Sequence, residues 1–516
     1  MKLSKYNFRF LTRAHVVVGL FAVFLFYIAT FFGSITMFAP YIKIWESPSR
    51  HFDISDKNNS GIDLDAVLKN VIAANNLPTK NIEITFPSYR DNALKVSVEN
   101  QAVIYVNPNN GSILHTSDES YTVSSFLNEL HTGANIPMVG MPLMGLASTA
   151  MIFLSIGGVM LFLSARRKAA EKKDRLWWHK YLGLWLLPYI VVFTFTGAFL
   201  GLMLSSSSPF ALGATNFEES NMRKLVAPII FKKKMEPKES NSTHDALSIA
   251  DLKQKASIQY PNLHITTVNL YAYNKDNYEA MFSGYLGDNQ SISGRNNRMS
   301  ITLNGINGDV VKKVHIEDSH IIKRALSAFY FLHFLPDQGA EWRIAFFVFG
   351  IVMAICLIAG YLVWSDRKLR SDGIFHHILN KIAIAFFIGV LPATAVLFAS
   401  NWILRFDMYD RDIWIKGAFY ATWAFVLFYA FLEASILNAI RKYLLWFAVL
   451  MSSAVLMHAA KNGYFLSGVN IANMSDTVFF VDAGMLLSSL LAMLAYVFIG
   501  RFKYIKQYEQ RSLEAW

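Results

Sequence analysis

The sequence predicts an α-helical polytopic membrane protein of about eight transmembrane helices, with two α+β domains on one face and an internal duplication of the first four spans. Three observations carry this expectation. Of 516 residues, 53% are hydrophobic and only 16% charged, too apolar for an ordinary soluble chain. Windows of about 20 apolar residues, the length that crosses the hydrocarbon core, recur along the chain. Two long polar stretches interrupt them, and short motifs of the first half return in the second.

The spans fall at about 12–39, 137–164, 180–205, 341–364, 380–404, 415–438, 443–460 and 478–499, with the third, fourth and eighth the cleanest. The charged start "MKLSKYNFRFLTRAH" resembles the first part of a signal peptide. The apolar run behind it is too long and lacks a small-residue cleavage site, which predicts an uncleaved anchor. Basic residues collect in alternate connections: Lys2, Lys5, Arg9 and Arg13 before span one, Arg166 to Arg175 between spans two and three, and Arg367, Lys368 and Arg370 after span four. Short cytoplasmic loops gather Lys and Arg, so both termini are expected in the cytoplasm. The formal charge of +11 is then a topology signal that needs no nucleic acid to explain it. The one cysteine, Cys356, lies in span four, which excludes a disulfide within the chain.

The polar stretches, residues 40–135 and 206–340, each read as a helix followed by strands. In the first, "LDAVLKNVIAANN" has helical periodicity, and "IEITFP", "ALKVSVE" and "AVIYVN" alternate as strands. The second repeats the order with "SIADLKQKASIQYP", "HITTVNLYAY", "NYEAMFSGYL" and "SITLNGINGDVV". Aligning Val106-Asn107-Pro108-Asn109-Asn110-Gly111 with Leu303-Asn304-Gly305-Ile306-Asn307-Gly308 matches the Asn at both turns and the glycine that a positive φ demands. The remaining boundaries are 1–39 for the first segment and span, 136–205 for spans two and three, 341–366 for span four, and 367–516 for a four-span block with no partner in the duplication.

The spans repeat as well. His15-x3-Gly19-Leu20 matches His179-x3-Gly183-Leu184, and the same offset sets Thr30, Phe31 and Gly33 on Thr194, Phe195 and Gly197. Leu130-His131 matches Leu332-His333, with Gly158 falling on Gly360. Thirteen histidines occur, but only His15, His179, His131 and His333 recur at matching positions. His15 and His179 open spans at one membrane boundary; His131 and His333 precede spans at the other. Around a pseudo-twofold axis each pair would face across a gap, giving one site at each membrane level. Opposed neutral imidazoles are good axial ligands for haem iron. A zinc site would need its ligands to converge, and these pairs are separated: His15 to Gly33 alone spans about 27 Å of helix.

The surroundings suit a haem. Gly19 and Gly183, one turn beyond their histidines, would let a flat macrocycle approach the backbone. Arg13, Arg175 and Lys180 are candidate partners for haem propionates at the inner level and Arg343 at the outer one, where the first repeat offers Met138 and Met141 instead. Interface histidines commonly act as polar anchors, but anchoring alone does not demand duplicated positions. His458 lies inside span seven with no evident partner in the sequence, and His376 and His377 read as part of a basic loop.

The order of span, outside domain, "LH" and span, repeated with "H-x3-GL" at the span starts, resembles the PepSY-associated transmembrane proteins, and within them the bacterial inner-membrane ferric-siderophore reductases. The resemblance covers about residues 8–366. It implies PepSY-like periplasmic domains, two b-type haems held by intramembrane histidines, and electron delivery to a ferric siderophore or other ferric chelate in the periplasm. Carried over by position, His15, His179, His131 and His333 are the haem-iron ligands. The chain departs from the family where Arg commonly follows the span-opening histidine: it has Val16 and Lys180. No flavin or nicotinamide motif is visible, so electrons are expected from a quinol, a reductase or a cytosolic reductant. Two other functions compete: a non-catalytic regulator that binds a peptidase or envelope partner, and a permease. The regulator leaves the duplicated histidines unexplained; the permease draws support from the span count and the unpaired C-terminal block.

Overall fold

A computed structural model of the chain describes residues 3–52, 63–78, 81–88, 91–98, 103–114, 121–165, 174–205, 215–218, 246–287, 292–295, 299–335, 339–368, 374–463 and 476–501. In chain order the helices and strands are α1 (Lys5–Thr36), α2 (Ala39–Trp45), α3 (Leu64–Asn75), β1 (Asn81–Thr85), β2 (Leu94–Val98), β3 (Ile104–Val106), α4 (Thr122–Thr132), α5 (Gly140–Ser164), α6 (Arg175–Trp185) and α7 (Leu187–Ser205). There follow α8 (Ile249–Gln259), β4 (Leu263–Tyr271), β5 (Glu279–Leu286), β6 (Met299–Asn304), β7 (Val310–Val314), α9 (Ile321–Phe334), α10 (Ala340–Lys368), α11 (Ile374–Phe387), α12 (Val390–Ile403), α13 (Arg411–Leu432), α14 (Ile436–Lys461) and α15 (Asp476–Phe498). They form two compact units. One comprises Met1–Glu46, Glu119–Ser206 and Glu341–Trp516, the other Ser47–Asp118 and Ser207–Ala340.

The first unit is helical. Among the described residues, seven segments are long and apolar enough to cross a membrane: α1, α5, α10, the α11–α12 segment, α13, α14 and α15. The pair α6–α7 makes an eighth if it is one span, and it is bent by 69°. The sequence read this third span as among the most regular. Pro188, the second residue of α7, explains the difference: it has no N–H to donate, and its ring crowds the carbonyl of Leu184 one turn earlier. The chain is thus a multi-pass membrane protein. Alternate helices pack along their small residues: a Cβ on Gly145 of α5 would fall 2.9 Å from the backbone N of Leu202 in α7, a closeness only glycine allows.

The second unit holds a seven-stranded antiparallel sheet in the order β3-β2-β1-β4-β5-β6-β7. β1 pairs with β4, Ile82 opposite Leu270 and Ile84 opposite Val268, so the strands of both polar stretches share one ladder. The physical reason lies at the edges: each half alone would leave its first strand unpaired, and pairing those two edges satisfies both rows of backbone groups. Leu64, Val67, Leu68 and Val71 of α3 and Ile249, Leu252 and Ala256 of α8 pack in one core with the inward side chains of the sheet. Asp65 joins the halves, accepting from the backbone N of Ile249 at 2.9 Å and from the Tyr273 hydroxyl at 3.0 Å. Burial and the neighbouring Asp65 carboxylate hold that hydroxyl above the usual phenol range, so it stays a donor. Tyr273 and Tyr278 are core residues. Both aligned turns close alike: Gly111 (φ +72°) donates to the Asn107 carbonyl and Gly308 (φ +79°) to that of Asn304, each at 2.9 Å.

Candidate functional site

α1 opens with Ser4 capping the Asn7 N–H and runs unbroken through 32 residues. It carries His15 in its third turn. α6 begins with Asp174 accepting from the Trp177 N–H and places His179 in its second turn. The two rings meet, with centroids 6.3 Å apart and planes at 71°.

Each ring is backed by a glycine on another helix. His15 lies against α5, where a Cβ on Gly158 would fall 3.5 Å from its Cε1. His179 lies against α10, where a Cβ on Gly360 would fall 2.8 Å from Cε1 and 3.0 Å from Nδ1. Sequence comparison matched these two glycines without assigning them to a site; Gly19 and Gly183 were expected there. Instead a Cβ on Gly19 would meet Leu154 at 4.0 Å and one on Gly183 the Cys356 thiol at 3.8 Å, both ordinary helix contacts.

His179 Nδ1 lies 3.0 Å from the Cys356 carbonyl. A carbonyl only accepts, so in the neutral ring Nδ1 carries the proton and Nε2 presents its lone pair. His131, at the end of α4, is tied in the same way: its Nδ1 lies 2.8 Å from the Ala29 carbonyl of α1, and its ring fills the space a Gly33 side chain would take. Ala29 and Gly33 lie 14 and 18 residues beyond His15, about 21 and 27 Å along the helix. α1 thus bears two histidine positions at two levels. His333 ends α9 in the sheet-bearing unit, 8% exposed, with its ring edge-on to Phe334.

Arg175 is ion-paired with Asp366 of α10, and Arg343 is buried and donates to the Met37 carbonyl at 2.9 Å. Both have protein partners that fasten α10 to its neighbours, and for Arg343 the buried guanidinium needs such an acceptor. Arg13 is exposed on α1 and Lys180 half-buried on α6.

A family model for the PepSY-associated TM region matches residues 12–367. The chain belongs to this PepSY-associated family. No curated protein matches it. The family match takes in all four repeated histidines and every basic candidate, and it ends as α10 ends. Beyond it, α11 to α15 hold three histidines, His376, His377 and His458. His376, read as part of a basic loop, is buried with its Nε2 3.1 Å from the Ser365 hydroxyl. His458 has the partner the sequence hid: its Nδ1 lies 2.7 Å from Oδ2 of Asp482, whose Oδ1 accepts from the Trp45 indole N–H at 2.7 Å. Asp482 lies 24 residues from His458 and Trp45 still farther, so no local spacing points to the cluster.

Proposed function

We propose that this PepSY-associated protein is a haem-bearing electron conduit of the bacterial inner membrane that reduces a ferric siderophore, or another ferric chelate, in the periplasm. The single observation that carries this is the approach of His15 and His179. An imidazole–metal bond is about 2 Å, and adding about 1 Å from each ring nitrogen to its ring centre puts two rings that share one ion about 6 Å apart. The observed 6.3 Å agrees.

The residues present fit a porphyrin in further respects. The Cys356 carbonyl fixes the His179 tautomer that a metal needs, and Gly158 and Gly360 leave the rings room to stand upright. His131 has the same tie to a carbonyl, which favours a second ligand position. A bound haem would supply reversible one-electron chemistry. The chain contributes neutral nitrogen ligands, a fixed ring orientation and an apolar wall that excludes water. Two levels along α1 suit passage of electrons across the bilayer rather than chemistry at one centre. Ferrous iron, the product, is held less tightly by hard oxygen chelators, which would release it. The pairing of the outer strands into one sheet and the matching turns favour a PepSY duplication.

The test is the visible spectrum of the purified full chain, oxidised and dithionite-reduced, with haem-to-protein stoichiometry. Reduced b-type bands are expected. A colourless, folded preparation from haem-replete cells would sink the proposal.

A further inference from the structure

His15 and His179 occupy matched frames with different supports. Gly19 faces Leu154 as Gly183 faces Cys356, and His15 backs onto Gly158 as His179 backs onto Gly360. Within these frames, His179 Nδ1 is tied to the Cys356 carbonyl, whereas the buried Nδ1 of His15 finds no hydrogen-bond partner among the described residues. The packing differs in the same sense. His179 is wedged at 2.8 and 3.0 Å from the Cβ position of Gly360, while His15 stands at 3.5 Å from that of Gly158 and 3.9 Å from that of Gly157. The Cys356 thiol also touches both ends of His179, at 3.7 Å from Nδ1 and 3.6 Å from its carbonyl. The matching position on α5 is an apolar leucine.

From this asymmetry we infer that His15 is the exchangeable member of the pair, and that its side of the metal position admits a small neutral ligand, carbon monoxide on the reduced iron. This rests on the haem reading above. A carbonyl acceptor behind an imidazole orients the ring and strengthens its donation, and losing such a partner typically weakens metal binding about 10- to 100-fold. Turning His15 away from the iron breaks no hydrogen bond and has slack behind the ring to turn into. Turning His179 away breaks one and drives the ring into the α10 backbone. A competing ligand therefore enters on the His15 side, and His179 stays as the anchor.

The experiment is carbon monoxide binding to the dithionite-reduced full chain in detergent, followed by stopped-flow absorbance after haem content has been measured. Wild-type protein should bind carbon monoxide slowly, on part of its haem. His15→Ala should retain haem and bind about tenfold faster or more, because no ligand must leave first. Gly158→Ala, which fills the slack, should slow binding relative to wild type and serves equally where His15→Ala does not fold. His179→Ala should lose haem. A haem-replete wild type indifferent to carbon monoxide, or acceleration by His179→Ala instead of His15→Ala, overturns the inference while leaving the haem reading intact. A colourless wild type overturns both, and the prior haem measurement tells the two failures apart.

Discussion

His179 and His458 both sit on apolar helices with Nδ1 tied down, yet their surroundings are opposite. Around His179 the tie is a backbone carbonyl, the backing residue is a glycine, and the ring faces another histidine. Around His458 the tie is the Asp482 carboxylate, and the ring is enclosed by Trp402 at 4.6 Å and Trp45 at 5.3 Å between centroids. One arrangement presents a nitrogen toward a gap. The other uses histidine, carboxylate and indole to lock α2, α12, α14 and α15 together. A buried histidine thus takes its meaning from what stands opposite its ring: a second imidazole at one site, a wall of indole at the other.

That contrast can be broken by substitution. The largest effect is expected from His179→Ala, which should remove the haem proposed between His15 and His179 and its share of the reduced-band absorbance; stoichiometry equal to wild type would erase the distinction between the sites. Next comes Asp482→Ala, which strands a buried histidine and an indole N–H. Thermal unfolding in detergent should show a loss of about 3–5 kcal/mol with haem content per folded protein unchanged. Loss of haem in that variant would mean that the His458 cluster also serves the cofactor. Trp45→Phe keeps the ring and removes only the donor to Asp482, so a smaller loss of about 1–3 kcal/mol is expected in the same assay. The smallest effect should come from Lys416→Ala, which breaks the half-exposed ion pair with Glu129 between α13 and α4, 2.9 Å apart. It touches neither histidine cluster and should cost no more than about 1 kcal/mol. A larger penalty would show that α4, and with it His131, depends on the C-terminal helices for its position.

Much of the helical architecture was legible because spans are written as continuous apolar runs and the repeats as equal offsets. Those offsets alone brought His15 and His179 together as candidates and matched Gly158 to Gly360. The bend at Pro188 was also in the sequence, but a hydropathy window averages over a single proline and reports one straight span. The merging of two polar stretches into one sheet left no local mark, since each strand alternates equally well in a separate domain. The contacts of the arginines were hidden for a related reason: Arg175 and Arg343 meet Asp366 and Met37, partners far along the chain.

By itself the sequence determined which segments enter the bilayer, which strands and turns form outside it, and which histidines are duplicated. Each follows from local composition or from comparing the chain with itself. Only the tertiary structure decided that His15 and His179 approach to 6.3 Å, that glycines of α5 and α10 rather than their own helices back them, and that His458 belongs to Asp482 and Trp45. Those outcomes depend on contacts between helices distant in the chain, where side-chain volume and the need to satisfy buried polar groups select one packing, and neither is encoded within a single span.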